Sequence, residues 1–236
     1  MPSRRGPDLP YFTVAGITPR GRRWLAGTAK INGATFAPEE PKLYDSFADV
    51  LDERPSFTSI VVNAPVGYAD TPGMGGRTCD RVARTMLGRR GIAVHSPPTG
   101  AVLLGESSWR DGHLDAVSAT LLPRYMEVAA EMSPYRQRTV YEGHPELSFY
   151  QLNGDAPLLW GKNTDAGREE RRRILEKKIP GISRIIDSEI PGVPEKQLLD
   201  VAALLWTARR VYGHAAKRVP EDAEWDSEGL RMEFVL

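Results

Sequence analysis

Cysteine is almost missing from this 236-residue chain, Cys79 being the only one. No internal disulfide can form, and neither a disulfide scaffold nor a cysteine-rich zinc site fits. Net charge is missing as well: 31 Lys and Arg balance 31 Asp and Glu. That balance argues against tight, indiscriminate DNA binding, which needs an excess of cations. Long apolar runs are lacking. No stretch without Asp, Glu, Lys or Arg is longer than Gly91–Gly105, which two prolines and a histidine interrupt. It is too short and too broken to span a bilayer. No apolar run follows the arginines of Met-Pro-Ser-Arg-Arg-Gly-Pro, so no secretory signal is expected. These absences together predict a soluble, cytoplasmic protein with no membrane partner.

Several catalytic signatures are absent too. There is no Gly-x-Ser-x-Gly elbow and no His-Glu-x-x-His zinc helix, and the histidines at 95, 113, 144 and 214 are widely scattered. Gly73-x-Gly75-Gly76 lacks the Lys-Ser/Thr of a phosphate-binding P-loop and is read as a flexible loop. Cys79 stands among arginines, which lower a thiol pKa, but its place in an amphipathic helix predicts a packing role.

What is present is ordinary globular composition, 41% hydrophobic and 26% charged, enough to bury a core. We expect a single domain over 1–236, with a flexible arm at 1–10 and an acidic C-terminal segment at 216–229. Charge is uneven locally. Arg77–Arg90 carries five arginines against one aspartate, Lys162–Lys178 is also basic, and Glu221–Glu228 holds five acids and no base. The basic segments suit an anionic ligand or a solvated helix face; in the second, Glu169 and Arg173 are spaced for an i,i+4 pair. The acidic tail suits either a partner or a cover for a basic helix.

The order of elements is informative. Tyr11–Thr18 and Arg23–Ile31 are predicted strands, and Asn32-Gly33 is a hairpin signal leading into Ala34–Ala37. Leu43–Glu53 has helical spacing. Thr58–Val62 is a continuous apolar strand of the kind buried on both faces. Helices are predicted over Arg77–Leu87, over Leu114–Met132 with a break near Pro123, and over Pro145–Leu152 and Asp165–Lys178. Another runs from Pro194 to about Gly213. Thr139–Tyr141 is a short strand, and Leu230–Val235 an edge strand. Three hairpin-linked strands, a helix, a buried strand and further helices form the order of an RNase H-like α/β fold, a mixed sheet with helices on both faces.

Particular residues carry a family resemblance. Val14-Ala15-Gly16-Ile17-Thr18-Pro19 followed by Trp24, and Val61-Val62-Asn63-Ala64-Pro65-Val66-Gly67, form the first two stretches. Arg77-x-Cys79-Asp80-x-x-Ala83-Arg84-x-x-x-Gly88, with Pro97-Pro98 further on, is the third. Glu142-x-His144-Pro145-Glu146-x-Ser148-Phe149 and Lys162-x-Thr164-x-x-Gly167-x-x-x-Arg171 follow, then Asp200 with Ala202, Ala203, Trp206 and Ala208. Across roughly residues 11–215 the sequence resembles the Domain of Unknown Function 429 family, whose members are predicted RNase H-like nucleases. The resemblance implies metal-dependent hydrolysis of a nucleic-acid phosphodiester, with Mg²⁺ or Mn²⁺ held by converging carboxylates. Glu142 and Asp200 would be the metal ligands. Thr18 and Asn63 stand where the resemblance places two further acids. Lys162, Arg171, Arg84 and Arg77 would contact phosphate. The alternative is a catalytically inactive relative that binds nucleic acid or protein.

Each residue also has a plainer reading. Asn63 caps the loop before Ala64-Pro65, and Thr18 is a turn residue. Glu142 sits either at a strand's C-terminal end, where α/β sheets place their sites, or as an acid at the start of the next helix. Asp200 suits an exposed helix face paired with Lys196. His144, beside a proline, suits a structural role. The two readings differ in geometry. A working metal site needs Glu142 and Asp200 close together with a third acid, Asp70, Asp80 or Glu146. A lapsed one holds them in salt bridges.

Overall fold

The computed structural model describes residues 10–71, 73–108 and 116–236. Nearly all of the N-terminal arm at 1–10, and the first residues of the helix expected from Leu114, lie outside them.

The chain opens with β1 (Phe12–Arg20) and β2 (Arg23–Asn32), antiparallel from Phe12↔Ile31 to Arg20↔Arg23. Asn32-Gly33 turns the chain into β3 (Thr35–Pro38), with Gly33 at φ +56°, a conformation that suits glycine. The segment Leu43–Glu53 is not one helix. Its first residues form β4 (Lys42–Tyr44) against the other end of β2, with Tyr44 opposite Trp24. α1 (Phe47–Leu51) starts only after Ser46, which forms a reciprocal capping box with Asp49. The sheet edge therefore claims two residues that local spacing assigns to the helix.

β5 (Ser59–Val62) lies parallel to β1, and β6 (Val140–Glu142) parallel to β5. β6 sits one residue later than the expected Thr139–Tyr141, which brings Glu142 into the ladder. The strand order is β3-β2-β1-β5-β6, with β4 on β2. Helices cover both faces. This mixed α/β architecture is consistent with an RNase H-like fold.

One face of the sheet carries α8 (Glu195–Tyr212), with α5 (Pro145–Leu152), α6 (Asp165–Lys178) and α7 (Ser183–Ile186) beside it. α8 crosses directly over Gly16, where a β-carbon would lie 2.3 Å from the Leu205 backbone nitrogen and 2.6 Å from the Val201 oxygen. The opposite face packs Ile17, Trp24, Ile60 and Val62 on α1 and on α4 (Ala116–Glu131). α4 continues through Pro123 instead of breaking there. Ser118 before the proline and Tyr125 and Val128 after it are buried, so packing holds both halves in line.

α2 (Thr78–Leu87) follows the Gly-rich loop, and Cys79 is buried in its packed face as expected. Burial pushes its thiol pKa up, away from reactivity. The short helix α3 (Gly100–Leu103) and the strand β7 (Arg218–Trp225) were not anticipated. β8 (Arg231–Val235) pairs with β7 in a separate two-stranded sheet and is not an edge of the main one. This hairpin lays Val219, Met232 and Phe234 on Cys79, Ala83 and Leu87. The acidic C-terminal segment thus covers the arginine-rich α2, while Glu221, Asp222 and Glu224 remain exposed.

Candidate strand-end site

The three parallel strands end together. Ile17, Val62 and Glu142 stand in one row, and Thr18 and Asn63 follow one residue later. A cavity of about 430 Å³ opens beyond these ends, lined by Asn63, Arg77, Arg90, Glu142, His144 and Lys162 among others. Of the eight residues singled out in the sequence, Asn63, Glu142, Lys162 and Arg77 border it. Thr18, Asp200, Arg171 and Arg84 do not.

Thr18 and Asn63 bond to each other, the Asn63 amide donating to the Thr18 hydroxyl at 3.2 Å. The Asn63 backbone N–H donates to the Ile17 carbonyl at 2.8 Å, which fixes the residue against β1. Glu142 is in register with Ile17 and Val62, so the pleat turns it toward the opposite face from Thr18. There it meets Arg77, the residue that precedes α2.

Arg77 is buried and gives a fork of hydrogen bonds. Nη2 lies 2.5 Å from Glu142 Oε1 and Nη1 lies 2.8 Å from Oε2. Nη2 also reaches Asp80 Oδ1 at 2.9 Å, and Nη1 the Gly67 carbonyl at 2.7 Å. The Val66 N–H adds a third donor to Glu142 at 3.0 Å. Burial pushes the Glu142 carboxyl above its ordinary pKa, and Arg77 opposes that shift. Burial also works against the charge of Arg77, but Asp80, Cys79 and Glu142 outweigh it and hold the guanidinium pKa well above its usual value.

Asp200 is 3% exposed, so the solvated face predicted for it is wrong. Its partner is Lys162, with Nζ 2.6 Å from Oδ2. Lys196 points elsewhere and donates to Asn163 Oδ1 at 2.8 Å. Burial raises the Asp200 pKa, Lys162 lowers it, and Oδ1 has no protein hydrogen bond.

Glu146 and Arg171 form a third buried pair, Nη2 to Oε1 at 2.5 Å, with Arg171 fully buried. Arg84 is committed to loop acceptors: Nε to the Val94 carbonyl and Nη2 to Ser96 Oγ, both at 2.8 Å, and Nη1 to the Gly75 carbonyl. His144 caps α5. Its Nδ1 accepts from the Glu146 N–H at 3.2 Å and its Nε2 faces the Ala93 carbonyl at 3.1 Å. These contacts require the neutral ring protonated on Nε2. Burial, followed by nearby Lys162, lowers its pKa to about 4.

The donor set does not suit a hard divalent cation. Magnesium and manganese take several oxygens, carboxylates foremost. Both Glu142 oxygens are engaged by Arg77, and Lys162 stands on Asp200. Asp80 lies on Arg77, Asp70 accepts from Ser227 at 2.7 Å, and Glu146 is held by Arg171. No group of three or more His, Cys, Asp or Glu suited to a metal occurs among the described residues.

Arg90 was missed. It lies in the short 3₁₀ turn Gly88–Ala93, outside every motif, and the dense arginine run from Arg77 to Arg90 was its only signal.

A mixed α/β domain with an ion-paired polar pocket at the ends of its parallel strands defines the class of protein. The chain belongs to the family described as Protein of unknown function (DUF429), whose model matches residues 16–225. No curated protein and no solved structure matches it.

Proposed function

We propose that this protein binds single-stranded nucleic acid at the strand-end pocket, without metal-dependent hydrolysis. The observation that carries this reading is the pairing of both remaining carboxylates with protein cations, Arg77 on Glu142 and Lys162 on Asp200. The hydrolysis implied by the RNase H-like resemblance needs carboxylate oxygens turned toward cations that stabilise the attacking and leaving oxygens. Here protein cations take those oxygens.

A phosphate-bearing strand fits what is left. Arg90 and Lys162 border the pocket, and Trp160, 54% exposed, stands two residues before Lys162. Cations beside an exposed aromatic ring are the elements of a single-strand platform, because every base has a stacking face. A pocket of about 430 Å³ has room for about one nucleotide. Zero net charge limits the contact to few phosphates. No helix among the described residues is long and apolar enough to cross a membrane, and nothing in this reading requires one.

The test is fluorescence anisotropy with labelled single- and double-stranded DNA and RNA in EDTA. Saturable binding of a single strand that stays intact is expected. Failure to bind any strand would overturn the reading.

A further inference from the structure

One pocket cation is held only by a long ion pair. Glu142, Asp200 and Glu146 each have a cation within 2.6 Å, namely Arg77, Lys162 and Arg171. The closest acid to Arg90 is Glu146, whose Oε2 stands 3.9 Å from Nε, outside hydrogen-bond range. Arg90 Nε is buried and has no hydrogen-bond partner. The guanidinium lies over the Gly161-Lys162 turn, since a β-carbon on Gly161 would come within 3.0 Å of Nη1. A buried donor without an acceptor is costly unless a ligand supplies one.

Part of the surrounding wall is apolar. Ile92, two residues from Arg90, is 81% exposed and borders the same cavity, as do Val117 and Leu121 from α4. A pocket of about 430 Å³ has room for roughly one nucleotide. A single terminal nucleotide matches that volume. A terminal phosphomonoester also carries more charge than a phosphodiester and can accept a guanidinium in bidentate fashion.

We infer that the pocket seats one terminal nucleotide, its phosphomonoester on Arg90 and its base against Ile92, Val117 and Leu121. A free nucleoside monophosphate presents the same chemistry. The inference rests on the strand-end pocket being the nucleic-acid site.

The experiment compares oligonucleotides of one sequence ending in a phosphate (5′ or 3′) or in a hydroxyl, alongside a free nucleoside monophosphate and inorganic phosphate as competitors. The proteins are wild type, Arg90→Ala and Ile92→Asp, each checked for folding by its melting temperature. Wild type is expected to prefer one phosphorylated strand by about tenfold or more. Arg90→Ala should lose that preference, binding the phosphate-ended and hydroxyl-ended strands alike. Ile92→Asp should weaken both strands, and the nucleotide should compete better than phosphate. Equal affinity for all ends, a preference surviving in Arg90→Ala, or phosphate competing as well as the nucleotide would overturn the inference. Strand binding would still stand. Binding of the free nucleotide alone, lost in Arg90→Ala, would support the inference and overturn strand binding. Binding of no probe would overturn both.

Discussion

Asn63 donates its side-chain amide to the Thr18 hydroxyl at 3.2 Å, joining the ends of β1 and β5 through two neutral groups. The family resemblance places a carboxylate at each of these positions. Two carboxylates that close repel unless a cation stands between them. The Asn–Thr pair removes that demand, since donor and acceptor satisfy each other.

Thr18→Asp and Asn63→Asp should each be tolerated, because the partner left in place can donate to the new carboxylate. The double variant should lose more stability than the two singles together, by on the order of 1–3 kcal/mol. Urea unfolding at neutral pH measures this coupling. Additive losses would contradict it.

Arg77→Ala leaves Glu142 and Asp80 buried without their cation. A loss of about 3–5 kcal/mol is expected. Arg77→Lys should recover little, because an ammonium cannot fork between two acids and the Gly67 carbonyl. Glu142→Gln should cost less than Arg77→Ala, since Asp80 still pairs with the arginine. Chemical denaturation of the three variants checks the order.

His144 ties stability to pH. Its folded pKa of about 4 lies below the ordinary value of 6.5, so the folded state resists protonation. Its contribution is complete above the ordinary value and is lost as pH falls from there toward the folded value. The full loss is about 3 kcal/mol. Glu142 and Asp200, with raised pKa values, act in the opposite sense, so the comparison is with His144→Asn, which retains a capping acceptor. The wild type should lose stability relative to this variant between pH 6.5 and 4. Parallel stability curves would show that His144 does not titrate as described.

Gly16→Ala should be severe, because the added carbon meets the α8 backbone at 2.3 Å and neither element can give way cheaply. A loss of about 3 kcal/mol or more is expected. Gly27→Ala, on the register partner, meets side-chain carbons at 3.3–3.4 Å and should be mild. Thermal melts of the pair distinguish backbone collision from simple crowding.

Much of the fold was legible because its signals are local. The apolar run Thr58–Val62, the Asn32-Gly33 turn and Pro145 opening a helix need no distant partner, and each element lies where expected. β4 was missed because pairing with β2 decides it. Asp200 was misplaced for a related reason. Lys196 and Gln197 on its helix suggest a solvated face, but Lys162, brought in from the loop before α6, closes over it. The candidate carboxylates were found in the sequence, while their partners were not. Arg77 and Arg171 stood out as basic residues, and a sequence gives no sign that a buried acid already holds each guanidinium.

The account turns on protein cations occupying the strand-end acids, and manganese electron paramagnetic resonance tests that most directly. Titrating Mn²⁺ into the wild-type protein near neutral pH should leave the signal of the free hydrated ion, apart from weak surface binding. Stoichiometric, tight binding that disappears in Glu142→Gln or Asp200→Asn would contradict the account and restore a metal-dependent site.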